Sequence, residues 1–267
     1  FLVGGSPGLT GAACLAANAA LRAGAGLVTL GVPESLHSQM EIKLTEVMTT
    51  PLPEADDGTL AALAAGPILE RATRADALGV GPGLGRGEEL PDLVAQLVRE
   101  SPVPLVLDAD GLNALVGATG LLKEAAAPVI LTPHPGELAR LVGSTTAEVA
   151  VHRLPLARDL AQDWNVILVL KGARTVIAAP DGSCYINPTG NPGLATGGTG
   201  DVLTGVITAF LAAGLQPLQA VVAAVFCHGL AGDLVRDEVG GEIGFTAGDV
   251  IRALPRTLNS LLSRAKG

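Results

Sequence analysis

Short, uninterrupted apolar runs recur along this chain, separated by longer stretches in which Ala and Leu mix with polar residues. A continuous apolar run of a few residues is the pattern of a strand covered on both faces. It predicts strands at residues 1–4, 27–32, 77–80, 105–108, 129–132, 166–171 and 175–179, with 184–187 pairing to the last. The Ala- and Leu-rich stretches predict helices at 11–23, 60–72, 90–99, 135–142 and 147–164, and two or three more after Gly200. This alternation implies an α/β fold: a mainly parallel central sheet with helices on both faces. Residues 175–187 break the alternation, because Ala179-Pro180-Asp181-Gly182 between two apolar runs is a hairpin turn signal. An antiparallel edge hairpin is expected there, with a helical tail from 199 to 264 covering one side of the sheet. No linker, repeat or low-complexity segment interrupts the pattern, so a single domain over 1–267 is expected.

Composition narrows this picture. Hydrophobic residues are 48% of the chain but aromatics only 2%, so the core must be built from Ala, Val, Leu and Ile. The net charge of −9 argues against nucleic acid as a partner. An acidic protein that binds phosphate must do so with backbone amides and a few placed cations. Lysine occurs only as Lys43, Lys123, Lys171 and Lys266, so a lysine within a motif carries weight. Cys14, Cys184 and Cys227 have neither metal-ligand spacing nor the even count of a disulfide framework. They read as buried free thiols in a reducing, cytoplasmic setting. No apolar run reaches membrane-spanning length without glycine or charge, and no signal peptide is visible, so no membrane is expected. The opening Phe1-Leu2-Val3-Gly4-Gly5 reads like the second half of a strand, which implies a preceding leader or domain.

In open α/β sheets, ligands bind beyond the carboxyl ends of the strands. Five strand ends carry Gly or polar clusters: Gly5-Ser6-Pro7-Gly8, Gly81-Pro82-Gly83-Leu84-Gly85, Asp108-Ala109-Asp110-Gly111, Thr132-Pro133-His134-Pro135-Gly136-Glu137 and Lys171-Gly172. The Walker pattern is absent, since no Gly-Lys pair occurs, and the spaced-glycine dinucleotide fingerprint fails too. The first two clusters read equally as tight turns or as places of close backbone approach. Asp108 and Asp110, with Asn113 one turn later, can serve a substrate or a hydrated Mg²⁺, or merely cap a helix. His134 is held at a strand end by two prolines, and Glu137 follows at capping distance. Lys171-Gly172-Ala173-Arg174-Thr175 places two cations and a hydroxyl where a nucleotide phosphate would be the counterpart.

The strongest signal is the run from Asn191 to Gly205. Gly193, Gly197, Gly198 and Gly200 precede Asp201 and a long apolar stretch of helical character. Glycines allow close approach of backbone N–H groups, and a helix start leaves several of them unpartnered, which makes an anion hole at the positive end of the dipole. An acid in the first turn is a poor phosphate binder, but it suits a base that takes a proton from a hydroxyl attacking that phosphate.

These pieces, in this order, resemble the ribokinase-like superfamily. Gly4-Gly5-Ser6, residues 20–28, 108–115, 131–137 and 170–172, and the block from Asn191 to Gly205 are similar to the ADP-dependent NAD(P)H-hydrate dehydratases over nearly the whole chain. The resemblance implies repair of wrongly hydrated NADH or NADPH, with the S epimer of the hydrate as substrate, ADP as co-substrate and Mg²⁺ as metal. It implies Asp201 as the base and the amides of Gly198, Thr199 and Gly200 around the transferring phosphate. Lys171, Gly172, Ala173, Arg174, Thr175 and Gly200 would contact the adenine nucleotide. Ala12, Gly83, His134 and Asp201 would contact the hydrated cofactor, with Asp108 and Asn113 as further candidates. No motif fixes the metal ligands. A homotetramer and an NAD(P)H-hydrate epimerase partner, free or fused, are expected on the same ground. The chain departs from the family in lacking the Lys-Gly-containing lead-in before Gly4, and in carrying Leu194 where methionine is common. A vitamin-alcohol kinase of the same fold and a non-catalytic nucleotide-binding protein are the competing readings; ATP dependence and binding without turnover, respectively, would mark them.

Overall fold

The computed structural model describes residues 1–265, so Lys266 and Gly267, at the end of the expected single domain, lie outside the described residues. Nine strands form one sheet: β1 Leu2–Val3, β2 Thr29–Pro33, β3 Met48–Leu52, β4 Leu78–Val80, β5 Leu105–Leu107, β6 Val129–Leu131, β7 Ile167–Leu170, β8 Val176–Ala178 and β9 Cys184–Ile186. Their order is β3-β2-β1-β4-β5-β6-β7-β8-β9. All pairings from β3 across to β7 are parallel, and β8 and β9 are added antiparallel. The expected edge hairpin is therefore present. β1, β4, β5, β6, β7 and β8 are buried at every position, which is why they read as unbroken apolar runs.

Eleven α-helices are described: α1 Thr10–Arg22, α2 His37–Lys43, α3 Ala65–Ala72, α4 Leu90–Glu100, α5 Asp110–Asn113, α6 Pro135–Val142, α7 Thr146–Val151, α8 Arg153–Trp164, α9 Thr199–Ala212, α10 Pro217–Val239 and α11 Ala247–Ala265. They cover both faces and bury two apolar clusters. One gathers Ala16, Ala20, Val106, Ile130, Val206, Ile207 and Val250. The other gathers Leu78, Val80, Leu97, Leu107, Leu131, Leu168 and Trp164. On the first face α1 packs most closely on α9, where a Cβ on Gly205 would lie 2.1 Å from the carbonyl oxygen of Ala16. α10 is long and apolar enough by composition to cross a bilayer, but half of its most apolar window is buried, and it packs on α9 and α11.

Four differences from the sequence expectation have local causes. β3 and α2 lie in a stretch without an apolar run; β3 is buried only at Leu52, carries Pro51 and pairs only with β2 at the sheet edge. The helix expected at 60–72 opens with a short 3₁₀ turn and becomes α-helical only at Ala65. The helix expected at 147–164 is two, because His152 leaves helical geometry between α7 and α8. Of the three thiols, Cys227 is buried, whereas Cys14 and Cys184 are half-buried, which corrects the expectation for those two.

Strand order reverses direction at β1, which sits between β2 and β4. Such a switch point opens a crevice beyond the carboxyl ends of the neighbouring strands. The loops after β1 and β4 meet there, Gly4 lying against the Pro82 carbonyl, and the N-terminus of α9 lies beside the ends of β5 and β7, next to Asp108 and Lys171.

Candidate active site

α9 begins at Gly198, which takes the left-handed backbone (φ 90°) that a side chain would resist. Its amide and those of Gly200 and Asp201 have no hydrogen-bond partner among the described residues. The loop before them is braced rather than free. Thr199 donates its hydroxyl to the Leu194 and Thr196 carbonyls, at 2.7 and 2.9 Å. Asn191 accepts from the Gly193 amide at 3.0 Å and donates to Asp233 of α10 at 3.0 Å. His228, also on α10, is buried with Nε2 2.9 Å from the Thr199 carbonyl oxygen. Burial pushes its pKa down to about 4, so the ring is neutral, and the carbonyl acceptor places its proton on Nε2.

Asp201 stands in the first turn of α9, and its carboxylate makes no hydrogen bond among the described residues. Burial raises its pKa to about 7; the neighbouring negative charges of Asp108, Asp110 and Glu137 act in the same direction, and Lys171 opposes them. A carboxyl group poised near neutrality is suited to general-base work.

Beside it lies a network of opposite charges. Lys171, at the end of β7, donates from Nζ to Asp108 Oδ1 at 2.7 Å and sits 3.8 Å from Glu137 Oε2. Asp108 accepts at its other oxygen from Thr204 of α9 at 2.7 Å. A Cβ on Gly200 would lie 3.3 Å from Lys171 Nζ, so the lysine borders the amide cluster. Burial lowers the ammonium pKa, but the attraction of Asp108 and then Glu137 outweighs it, and the net shift is upward. The expectation of concentrated positive charge at Lys171 is corrected here, because its ammonium is matched by acids.

The other sequence candidates group around this core. Ala12 at the start of α1 faces the loop after β4; a Cβ on Gly83 would meet it at 3.2 Å. His134 caps α6, its Nδ1 accepting from the Gly136 and Glu137 amides at 3.0 and 3.4 Å, and burial lowers its pKa. Half of its side chain remains exposed. Glu137 completes the capping box by accepting from the His134 amide at 2.7 Å. It also reaches Lys171, so capping is not its whole part. Asp110 does not cap its own helix; its oxygens accept from the Gly85 amide at 3.0 Å and from Asn113 Nδ2 at 3.1 Å. Gly172, Ala173 and Arg174 form an exposed turn between β7 and β8. Thr175 donates to the Gly172 carbonyl at 3.0 Å, and Arg174 is turned away to the Pro188 carbonyl at 3.1 Å.

Sequence reasoning passed over Thr204, His228, Asp233 and Arg153. The first three carried one signal, a polar side chain in an apolar helix. Arg153 braces the turn after β7 by donating to the Leu170 carbonyl at 3.1 Å and to that of Ala173, and nothing local announces it.

A sequence model of the NAD(P)H-hydrate dehydratase family matches residues 1–256. The chain is 51% identical over 259 residues to a bifunctional NAD(P)H-hydrate repair enzyme of Moorella thermoacetica, covering 97% of this chain and 49% of that protein. It is 38% identical over 256 residues to an ADP-dependent (S)-NAD(P)H-hydrate dehydratase of Neisseria meningitidis, covering 94% of this chain and 82% of that one. The chain thus spans about half the length of the bifunctional relative. Among solved structures it is similar to the ADP/ATP-dependent NAD(P)H-hydrate dehydratase of Bacillus subtilis co-crystallized with ATP/Mg²⁺ and soaked with CoA, at 35% identity and a TM-score of 0.80, covering 97% of this chain and 90% of that chain. A ribokinase-like superfamily protein of Enterococcus faecalis aligns at 27% identity and a TM-score of 0.79, covering 97% of this chain and 86% of that chain. The fold is ribokinase-like.

Proposed function

Since the chain belongs to the NAD(P)H-hydrate dehydratase family, we propose that it dehydrates the S epimer of hydrated NADH and NADPH, using ADP and releasing AMP and phosphate. The observation that carries this reading is Asp201: a largely buried carboxylate with a pKa of about 7, beside unpartnered amides at the start of α9.

Hydroxide leaves carbon poorly, whereas phosphate leaves well. Asp201 takes the proton of the hydrate's hydroxyl, whose oxygen attacks the β-phosphorus of ADP while the bond to AMP breaks. The amides of Gly198, Gly200 and Asp201 are placed to hold the charge on the transferring phosphoryl oxygens. Phosphate then departs with the carbon–oxygen bond electrons, pushed by the ring nitrogen, and loss of a ring proton restores the dihydropyridine. Lys171, Gly172, Ala173, Arg174 and Thr175 would border the nucleotide. Ala12, Gly83, His134, Asp108 and Asn113 would border the hydrate, with Asp108 acting chiefly by holding Lys171 and Thr204.

The donor set does not form a cage for Mg²⁺. Asp108 and Asp110 both have their two oxygens engaged, and among the described residues no three acids, histidines or cysteines converge on one point. No step of the proposed chemistry therefore runs through a protein-held metal; a magnesium ion that enters with the nucleotide would be held by phosphate and water. A single domain, a cytoplasmic homotetramer and cooperation with an epimerase belong to the same proposal; the bifunctional name of the Moorella relative supports the last.

The test is recovery of the near-UV absorbance of reduced nicotinamide from hydrated NADH. Recovery with ADP supports the reading. A phosphorylated product formed with ATP, without return of absorbance, would replace it with the kinase reading.

A further inference from the structure

The loop after β4, α5 and α6 enclose a pocket of about 320 Å³ whose lining includes Gly85, Arg86, Asp110, Asn113, Val116 and Arg140. We propose that this pocket is an anion subsite in which Arg86 and Arg140 grip a phosphate of the hydrated dinucleotide. The proposal rests on the functional reading above and names what holds the substrate away from its reacting ring.

The argument begins from charge. The centre of the site carries Asp108, Asp110, Glu137 and Asp201 against a single ammonium. A dinucleotide brings about two further negative charges as NADH and about four as NADPH, which must be met elsewhere. Lys171 is engaged by Asp108, Lys43 by the Thr10 hydroxyl, Arg153 by backbone carbonyls and Arg174 by the Pro188 carbonyl. On this face that leaves Arg86 and Arg140. Both are exposed, and Arg86 makes no side-chain hydrogen bond or ion pair among the described residues.

Arg140 is also aimed. Its Nε donates to Asn113 Oδ1 at 3.1 Å, Asn113 Nδ2 donates to Asp110 Oδ1 at 3.1 Å, and Asp110 Oδ2 accepts from the Gly85 amide at 3.0 Å. This relay fixes the guanidinium through its inner nitrogen and leaves both terminal amino groups for a phosphate, the fork that suits two oxygens at once. It also clothes the Asp110 carboxylate with two donors, which softens its repulsion of an anion in the pocket.

The experiment measures KM for hydrated NADH, hydrated NADPH and ADP in the wild type, Arg86→Ala, Arg140→Ala, the double variant and Arg140→Lys. We expect the double variant to raise the dinucleotide KM about ten- to a hundredfold, the range for lost charge-assisted hydrogen bonds. The ADP KM and kcat should stay within about twofold, and Arg140→Lys should recover only part of the loss, because an ammonium cannot bridge two oxygens. A rise for both hydrates identifies the pyrophosphate; a rise for hydrated NADPH alone identifies its extra phosphate. Unchanged KM for both hydrates, or an ADP KM that rises in step, overturns the proposal. NADPH is also titrated by its own fluorescence, which needs no turnover. If the wild type lacks ADP-dependent activity the functional reading fails, and this titration still decides the subsite. Weaker NADPH binding in the double variant supports it, whereas equal binding, or none in the wild type, overturns it.

Discussion

Asp201 is held by burial in a state that an exposed carboxylate would not adopt, and its chemistry follows from that. Replacement by Asn keeps the shape and removes the base, so turnover should fall by about a thousandfold or more while ADP binding changes little; a binding titration beside the absorbance assay checks both. The same substitution has a stability consequence whose sign is set by the raised pKa of about 7. In the unfolded chain the group ionises near the ordinary aspartate value, so between about pH 4 and pH 7 the folded state holds the extra proton. Above pH 7 both states are ionised, and the folded one bears the full penalty of the buried charge. Asp201→Asn should therefore raise Tm by roughly 5 °C at pH 8, with the gain vanishing near pH 4, as thermal melts across that range will read. For the wild type, kcat/KM should fall about tenfold per pH unit below 7, as the base takes up its proton. Lys171 opposes that protonation, so Lys171→Met should move the acid limb to higher pH, a displacement that a purely structural lysine would not cause. The sequence put Asp201 in the first turn of a helix behind a run of glycines, as in the structure, because that motif is local. It could not place the partner of Lys171, because Asp108 lies on another strand and only the parallel pairing of the sheet brings the two ends level.

At the level of elements, α9 does two jobs with one helix: its start presents the unpartnered amides of the proposed anion hole, and its middle packs on α1. Helix axes come this close only if a residue at the crossing has no side chain. Gly205→Ala would place a methyl against the Ala16 carbonyl. We expect a cost of about 3 kcal/mol and a fall in Tm of roughly 6 to 10 °C, measured by circular dichroism. Activity should fall as well, because the shift is transmitted along α9 to Gly198. The strands that were legible were those covered on both faces. β3 was not, because an edge strand buries one end only and its threonines interrupt the apolar signal. The separation of α7 from α8 did carry a signal, Pro155, whose ring excludes a helix running unbroken through Val151, but the Ala- and Leu-rich pattern on either side ran across it.

Over the whole molecule, one sheet divides two apolar clusters, and the single tryptophan, Trp164, belongs to only one of them. If the chain is one cooperative domain, as proposed, Trp164 fluorescence and far-ultraviolet circular dichroism should report the same denaturant midpoint. A fluorescence transition that separates from the other would show the faces yielding independently. That the polar clusters gather at one edge was legible at this scale, because strand ends can be counted along the sequence and must share one edge of a parallel sheet. The bracing of the anion loop by α10 was not, since His228 and Asp233 act through the fold. The seam between α1 and α9 also bears on how the chain is made. During synthesis Ala16 emerges when only β1 of the sheet has preceded it, and Gly205 only after every strand of the sheet has left the ribosome. The apolar face of α1 therefore waits, uncovered, while the rest of the sheet is made. When α9 arrives it covers much of that face and brings the turn from Gly198 to Asp201 into place in the same movement, and α11, which also packs on α1, closes the layer last.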